Sequence, residues 1–345
     1  MSIGSGKVLG IDIGRRDLKI VQVNGAPKSP SLAAWAIVAK EKRSFEGDGW
    51  RPDLFEDIAL SLQLNGIKGG KAYVSLPDDM VRLSYRKLPA MPPEELKSAI
   101  VWEIRKEWDL AVDEMVVDYI EMGKVVDGTS SMNAYLAVVC RKRPLEFLGR
   151  SLLDMGIKVQ SLEFSTLAQI SCLPASGGTN NAIGLVDLGA SQTNLIVLKD
   201  GSVRFFRMIP SGGDSISDAI SQATGLTWWE AEKHKRMGVP SGEGGDEQMA
   251  RAFRGTLELI VDEVFQTLRF YVAERKEGPV ERLMLTGGGA LMPGVDGAFQ
   301  DVLGLPVEVL NPFGNLPVSA GVRDSDMMVS QGGRLVTALG LALKE

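Results

Sequence analysis

Two stretches of the chain share one pattern, and this repeat constrains the fold more than any other feature. The first, VLGIDIGRRDLKIVQVNG, runs from Val8 to Gly25, and the second, GLVDLGASQTNLIVLKDG, runs from Gly184 to Gly201. Each has an apolar strand, an aspartate, an apolar residue, a glycine, a polar turn and a second apolar strand, and then Asn-Gly or Asp-Gly. Asn-Gly and Asp-Gly are strong hairpin signals. The repeat therefore predicts a duplicated β-hairpin, with one copy in each half of the chain.

The turn of each predicted hairpin has the residue types of a phosphate and magnesium site. Asp12 and Gly14 lie in the first turn, and Asp187 and Gly189 lie in the second. A glycine lets backbone N–H groups approach an anion, and a carboxylate holds the water shell of Mg²⁺. The simpler interpretation is that each aspartate only begins a tight turn, and for either hairpin alone it is the stronger one. Two copies and a further glycine motif favour the phosphate site.

That further motif is LTGGGALMPG, in which Gly287, Gly288 and Gly289 directly follow a predicted strand. Side chains at these positions would keep a ligand away from the backbone, so the glycines fit a nucleotide contact. A flexible loop is the alternative. It fits less well because strand and helix signals bound the glycines closely.

Length and linker composition predict two domains. The chain has 345 residues, and a domain usually has roughly 100–200. The segment PASGGTNN at 174–181 is small, polar and rich in turn formers, which is typical of a linker. We therefore expect α/β domains over 1–178 and 179–345. Strand and helix patterns from Lys71 to about Ile157 predict a small α+β subdomain inserted in the first.

Composition excludes some functions and locations. A net charge of −6 argues against binding to nucleic acid through its phosphates. Two cysteines and one histidine are too few for a metal centre built on these residues, and indicate a reducing compartment. The apolar run at Leu32–Ala39 is far shorter than the roughly 20 residues of a membrane span. We expect a cytoplasmic protein that reaches the membrane only through partners.

The order of GIDIG, VDLGASQT and LTGGGALMPG resembles the two phosphate motifs and the adenosine motif of the actin-like ATPase superfamily. This resemblance implies a duplicated, ribonuclease H-like α/β fold whose two halves bind ATP and Mg²⁺. Within the superfamily the chain is most similar to the PilM family of type IV pilus assembly. The stretches YVSLPDDMVRLSYRKLPAMPPEELKSAIVWEI, EMVVDY, AEKHK and LGLPVEVLNPF carry this likeness, which covers nearly the whole chain.

The resemblance also implies site residues, which share three roles. The residues implied to hold phosphates are Asp12, Gly14, Asp187, Gly189, Ala190 and Ser191, and both aspartates are implied metal ligands. The residues implied to lie beside the nucleoside are Glu232, Lys235, Gly287, Gly288 and Gly289. Glu163 is implied to orient the attacking water, with Asp187 as the second catalytic residue.

Some of these residues have structural alternatives. A surface or structural carboxylate is the simpler interpretation of Glu163, and charges at i and i+3, such as Glu232 and Lys235, often form a solvated helix pair. Because Asp12 and Asp187 are both assigned to turns, we expect that either can be removed without loss of the fold.

The first turn departs from its relatives, which usually carry small hydroxyl residues after the Asp-x-Gly. This chain has Arg15, Arg16 and Asp17 there. Arg15 could contribute charge to a phosphate or fill the space that a phosphate needs, and Asp17 would repel it. The sequence therefore predicts a nucleotide site and leaves hydrolysis open.

The function that the resemblance implies is a scaffold in the pilus inner-membrane platform. It would dock the cytoplasmic tail of a PilN-like membrane protein on its N-terminal half, near the inserted subdomain, and contact other platform proteins. The motor ATPase and a second copy of the chain are further candidate partners. The alternatives are an active ATPase or sugar-kinase-like phosphotransferase, an FtsA-like polymer, and a cytoplasmic module of type II secretion.

Overall fold

The computed structural model describes residues 6–25, 29–40, 43–47, 49–108, 111–127, 130–173, 182–238, 246–314, 316–322 and 324–344. Contacts divide the chain into two compact units. Unit 1 comprises Met1–Leu173, Pro312–Ser330 and Leu335–Glu345, and unit 2 comprises Pro174–Asn311 and Gln331–Arg334. The linker predicted at 174–181 lies outside the described residues.

The strands of both units follow the apolar runs of the sequence. In chain order they are β1 (Val8–Ile13), β2 (Asp17–Asn24), β3 (Ser31–Ala39), β4 (Phe45–Glu46), β5 (Gly49–Trp50), β6 (Lys71–Leu76), β7 (Arg82–Leu88), β8 (Met115–Asp127), β9 (Ser130–Arg141), β10 (Lys158–Phe164), β11 (Ala182–Leu188), β12 (Thr193–Lys199), β13 (Ser202–Ile209), β14 (Val280–Thr286) and β15 (Val307–Val309). The run at Leu32–Ala39, which periodicity leaves open between strand and helix, is strand β3.

The helices of both units are named in chain order. They are α1 (Pro52–Leu64), α2 (Pro93–Arg105), α3 (Lys142–Asp154), α4 (Ser165–Ala168), α5 (Gly213–Thr224), α6 (Trp228–Met237), α7 (Glu247–Arg275), α8 (Val295–Leu303), α9 (Ser325–Ser330) and α10 (Gly332–Ala342). In the described part of the chain, none of these helices is long and apolar enough to cross a membrane.

The main sheet of unit 1 has the strand order β10-β6-β1-β2-β3. β1 is antiparallel to β2 and parallel to β6, and β6 is parallel to β10. Helix α10 packs closely on β1, because a Cβ at Gly10 would lie 1.8 Å from the carbonyl oxygen of Ala338. Only glycine allows this approach.

A second, smaller sheet in unit 1 has the order β7-β9-β8. Helix α2 covers it with the buried side chains of Leu96, Ile100 and Ile104, which follow one another at about one helical turn. This sheet and helix lie inside the α+β unit predicted over 71–157, and the start predicted at Lys71 is wrong, because Lys71–Leu76 is strand β6 of the main sheet. The physical reason is that Ala72 and Val74 are fully buried between two parallel neighbours.

Unit 2 contains a sheet with the order β13-β12-β11-β14-β15. β11 is antiparallel to β12 and parallel to β14, which repeats the arrangement of β1 with β2 and β6. Helices α5, α7 and α8 bury apolar side chains against this sheet. The duplicated hairpin predicted from sequence is therefore confirmed, with one copy in each unit.

Candidate functional site

In unit 1, Asp12 is held on both carboxylate oxygens. It is 4% exposed and lies on β1, opposite Lys19 of β2 and beside Ser75 of β6. Lys19 Nζ lies 2.8 Å from Asp12 Oδ2, and Ser75 Oγ donates a 2.7 Å hydrogen bond to Asp12 Oδ1. The backbone N–H of Ile13 donates to Ser75 Oγ at 3.1 Å. These contacts fix the carboxylate at the end of the strand.

Gly14 lies under the Lys19 ammonium group. A Cβ at Gly14 would be 2.8 Å from Lys19 Nζ and 3.0 Å from the carbonyl oxygen of Asp17. A side chain at this position would displace the lysine. The first turn therefore carries its own cation at the place where the sequence predicts a phosphate loop.

A second lysine, Lys40 at the end of β3, also reaches this turn. It is buried, and its ammonium group donates hydrogen bonds to the Gly14 carbonyl and to Ser44 Oγ. Burial, together with the charge of Lys19, lowers the pKa of Lys40 to about 8, although Asp12 and Asp17 act in the opposite direction. The buried Asp17 thus lies near the positive charge of Lys40. Arg15 and Arg16 are half-buried.

In unit 2, the second turn is tied to the start of α5. Within the turn, the N–H of Gly189 donates to the Gln192 carbonyl at 3.0 Å. The Gly189 and Ala190 carbonyls accept from the N–H groups of Gly213 and Asp214, at 2.9 and 2.7 Å. These two helix N–H groups are therefore used by the turn, and Ser191 lies half-buried within it.

The glycine loop after β14 packs directly on the second turn. Asp187 lies opposite Thr286 in the parallel pairing of β11 with β14. A Cβ at Gly287, where φ is +86°, would meet Asp187 Oδ1 at 2.5 Å, and a Cβ at Gly289 would meet Leu188 Cβ at 2.8 Å. Gly288 is exposed and has room for a Cβ, with Arg334 Cγ nearest at 3.8 Å. The structure thus brings Asp187 and the three glycines together.

Glu232 and Lys235 lie on α6 and are buried, with 6% and 5% exposure. Lys235 Nζ lies 2.5 Å from Glu232 Oε2 and donates to the Gly213 carbonyl at 2.8 Å. Ser217 Oγ donates to Glu232 Oε2 at 2.6 Å, and Arg236 Nε lies 2.5 Å from Glu232 Oε1. The pair is therefore not a solvated helix pair. It links α6 to the start of α5, next to the second turn.

The protonation states of this pair follow from their surroundings. Burial acts to raise the pKa of the Glu232 carboxyl, but Lys235, Ser217 and Arg236 outweigh burial and lower that pKa below its ordinary value. Burial lowers the pKa of Lys235, and the charge of Glu232 opposes this change. The short contacts fit a charged pair.

Glu163 lies on β10 of unit 1, in the row of side chains that contains Ser75 and Asp12. Ser161 Oγ donates to Glu163 Oε1 at 3.1 Å, and Lys344 forms an ion pair with Glu163 Oε2. Its carboxylate therefore has structural partners, and its catalytic role stays a prediction. Across the described residues, no group of three or more His, Cys, Asp or Glu side chains is placed to hold a metal ion.

Sequence patterns missed Lys19, Lys40 and Ser75. Lys19 was within reach, because a hairpin that turns at Gly14 places it opposite Asp12. The contacts of Ser75 and Lys40 need the order of the strands in the sheet, which local patterns do not give.

Comparison with known proteins gives one family match and several distant relatives. The family model described as "Type IV pilus assembly protein PilM" matches residues 10–345. Among curated proteins, the cell division protein FtsA of Bacillus subtilis is 26% identical over 64% of this chain and 56% of its own length. FtsA of Streptococcus pneumoniae is 22% identical over 58% of this chain and 50% of its own. The chain thus spans about half the length of these curated relatives.

Two solved structures have a similar fold. A structure described as the "PilM-PilN type IV pilus biogenesis complex" matches with a TM-score of 0.82 and 24% identity over 97% of both chains. The ethanolamine utilization protein EutJ of Carboxydothermus hydrogenoformans matches with a TM-score of 0.58 and 17% identity, over 99% of this chain and 91% of that one. At these identities the likeness shows the fold alone. The actin-like fold predicted from sequence is confirmed.

Proposed function

Because the chain belongs to the PilM family of type IV pilus assembly proteins, we propose that it is a nucleotide-binding scaffold of the pilus assembly platform. The proposal has two parts. The first is binding of ATP with Mg²⁺, for which unit 2 offers the glycine loop with its own Asp-x-Gly turn, and unit 1 offers the other turn by itself. The second is docking of a PilN-like tail on unit 1, which would hold the protein at the cytoplasmic face of the inner membrane.

The observation that carries the nucleotide part is the glycine loop of unit 2. Gly287 and Gly289 cannot carry a side chain because Asp187 and Leu188 occupy that space. Gly288 has room for one and is exposed, so packing does not explain its being a glycine. A ligand lying against the backbone explains it. Asp187 beside this loop supplies a carboxylate for the water shell of Mg²⁺.

The matched test uses two glycines. Gly288 has helical backbone angles, with φ −66° and ψ −31°, so Gly288→Ala introduces no strain. The control is Gly297→Ala on α8, where a Cβ meets nothing within 4 Å. Calorimetric titration of Mg-ATP into the full chain should show at least about tenfold weaker binding for Gly288→Ala, or roughly 1.4 kcal/mol, and no change for Gly297→Ala. Equal affinity for both variants would reject the loop as the binding site.

The docking part is supported by apolar side chains exposed on the inserted subdomain. Trp102 of α2 is 59% exposed, and Tyr85 and Val116 of the neighbouring strands are 42% exposed each. Peptide tails bind to apolar surfaces or add to strand edges. We expect a synthetic tail of a PilN-like protein from the same operon to bind the full chain. Trp102→Ala should weaken this binding and Trp229→Ala, a 51% exposed tryptophan of unit 2, should not.

A further inference from the structure

Strand β3 forms an edge of the main sheet of unit 1. Among the described residues, only the beginning of this strand has a neighbouring segment hydrogen-bonded to its outer side. The N–H of Leu32 donates to the Pro317 carbonyl at 2.8 Å, and the N–H of Ser319 donates to the Leu32 carbonyl at 2.8 Å. This short segment lies parallel to β3 at Leu32, as one rung of an added strand would.

The rest of the β3 edge carries main-chain groups that point away from the sheet. The N–H of Lys40 donates to the Arg16 carbonyl, so the main-chain groups of Lys40 point toward the β2 side. Successive strand residues alternate in this direction, so the main-chain groups of Ile37 and Ala39 point outward. Within the described ranges, neither residue has a hydrogen bond on that side. A further strand could therefore add here.

This edge opens into a groove of about 520 Å³, lined by the Ala33–Val38 part of β3, by α1, and by Gly321, Val322, Asp324 and Met327. Its walls expose large apolar side chains. Leu60 and Leu64 of α1 are 53% and 64% exposed, and Met327 of α9 is 54% exposed. An added strand would point alternate side chains at these two walls.

The groove is acidic. Among the described residues that line it, Asp57 and Asp324 are the only ionisable ones, and neither forms an ion pair with a described residue. Burial, helped by the charges of Asp53 and Glu56, raises the pKa of the Asp57 carboxyl, while Lys40 acts in the opposite direction. A basic side chain of a ligand would stabilise the Asp57 carboxylate.

We propose that this groove, the β3 groove, binds an extended segment of a partner protein by strand addition. The segment alternates apolar side chains, which contact Met327, with side chains that point toward α1, where they contact Leu60 and Leu64 and include a lysine or arginine that pairs with Asp57. The proposal goes beyond the nucleotide and tail binding proposed above, because the β3 groove shares no residue with the glycine loop or with the apolar surface of the inserted subdomain.

A second copy of the chain is a poorer occupant. The groove lies between α1 and Met327. The edge of another main sheet would have to enter between these two walls. Pairing of two copies through β3 would also bring a second Asp57 toward the first, and like charges repel at such a contact. A slender basic segment meets neither obstacle.

The test uses a fluorescein-labelled peptide TVKVTVK, with TVEVTVE as its acidic match and TVKPTVK as its interrupted match. Fluorescence anisotropy with the full chain should show saturable binding of the lysine peptide and at least about tenfold weaker binding of the other two. Absence of saturation, or equal binding of the acidic peptide, overturns the proposal.

Three variants and one control localise the binding. Leu64→Ala and Asp57→Asn should weaken it, and the control Leu259→Ala, at a 67% exposed leucine of α7 in unit 2, should not. Ala39→Pro removes one outward N–H from the exposed end of β3 and should also weaken it. Circular dichroism checks that each variant is folded. If sedimentation instead shows a dimer that Ala39→Pro dissociates, the occupant is a second copy and the proposal is wrong.

Discussion

The two Asp-x-Gly turns have the same sequence pattern, yet their surroundings differ. In the first, Asp12 is buried, faces Lys19 across the hairpin and receives a hydrogen bond from Ser75. In the second, Asp187 is half-buried, faces Asn194 across the hairpin and lies against Gly287. The first aspartate is thus part of a charged structural cluster, whereas the second lies at a loop that favours a ligand.

This difference shows that the Asp-x-Gly motif predicts the backbone of the turn better than it predicts the role of the aspartate. Both turns follow a buried strand and end in an antiparallel partner, as the pattern predicts. The residue that faces the aspartate lies seven positions further on, outside the motif, and it decides the charge of the site. A lysine there neutralises the carboxylate, and an asparagine does not.

The largest effect should follow from removing Lys19. Its loss leaves the Asp12 carboxylate buried without its cation, which costs about 3–5 kcal/mol for such pairs. We expect Lys19→Met to lower the free energy of unfolding of the full chain by this amount, measured by urea titration with circular dichroism. The matched change in the second turn, Asn194→Ala, removes no charge and should cost clearly less.

The same comparison corrects an expectation from sequence. Asp12 is not a removable turn residue, because Asp12→Ala leaves Lys19 and Ser75 without their partner in a buried position. The double variant Asp12→Asn with Lys19→Met removes both charges and should recover part of the lost stability. A wild-type unfolding midpoint for Lys19→Met alone would show that the pair does not stabilise the turn.

The second prediction concerns pH and Lys40. The folded chain holds Lys40 with a pKa of about 8, against 10.5 for an ordinary lysine. Between these values the unfolded chain binds more protons than the folded chain, so stability rises with pH in this window. Between pH 8 and 10.5, the free energy of unfolding of the wild type should therefore rise by about 3 kcal/mol relative to that of Lys40→Met.

Urea titrations across that pH range measure this difference. The control is Lys142→Met on α3, where the lysine side chain is 50% exposed, and its stability should run parallel to that of the wild type. A wild-type profile parallel to that of Lys40→Met would mean that the buried ammonium keeps its ordinary proton affinity.

The third prediction concerns Asp187. If it holds the water shell of Mg²⁺ with a nucleotide, Asp187→Asn should weaken Mg-ATP binding by roughly ten- to a hundredfold, or about 1.5–3 kcal/mol. It should change the free energy of unfolding by less than Asp12→Asn does, because Asp187 is more exposed. Calorimetry with and without Mg²⁺ measures the first effect. ATP binding by Asp187→Asn at wild-type strength would remove Asp187 from the site.

These contrasts show what sequence could predict. The hairpins followed from local alternation and from the glycines, and the loop at Gly287–Gly289 followed from its position after a strand. The Asp12–Ser75 contact joins residues 63 positions apart, and it depends on β6 lying beside β1. The burial of Glu232 and Lys235 likewise depends on where α5 begins. Spacing within one helix does not contain that information.

The return of the chain to unit 1 is a further example. Pro312–Ser330 and Leu335–Glu345 group with the first unit, and α10 lies against Gly10 of β1. An apolar terminal helix is visible in the sequence, but its partner is not, because many buried strands offer a similar apolar surface. The absence of a side chain at Gly10 lets α10 approach β1 closely.

The smallest effect is expected for the arginines of the first turn. Arg15 and Arg16 are half-buried, while Lys19 and Lys40 already place two ammonium groups at this turn. Replacing both arginines by serine therefore removes bulk more than it removes needed charge. We expect the Arg15→Ser, Arg16→Ser variant to bind Mg-ATP about threefold more tightly, or roughly 0.6 kcal/mol. Calorimetry measures this, with Arg150→Ser on α3, where the side chain is 80% exposed, as the control. Weaker binding by the double variant would mean that Arg15 or Arg16 contacts a phosphate, and the first turn would then bind nucleotide through these side chains.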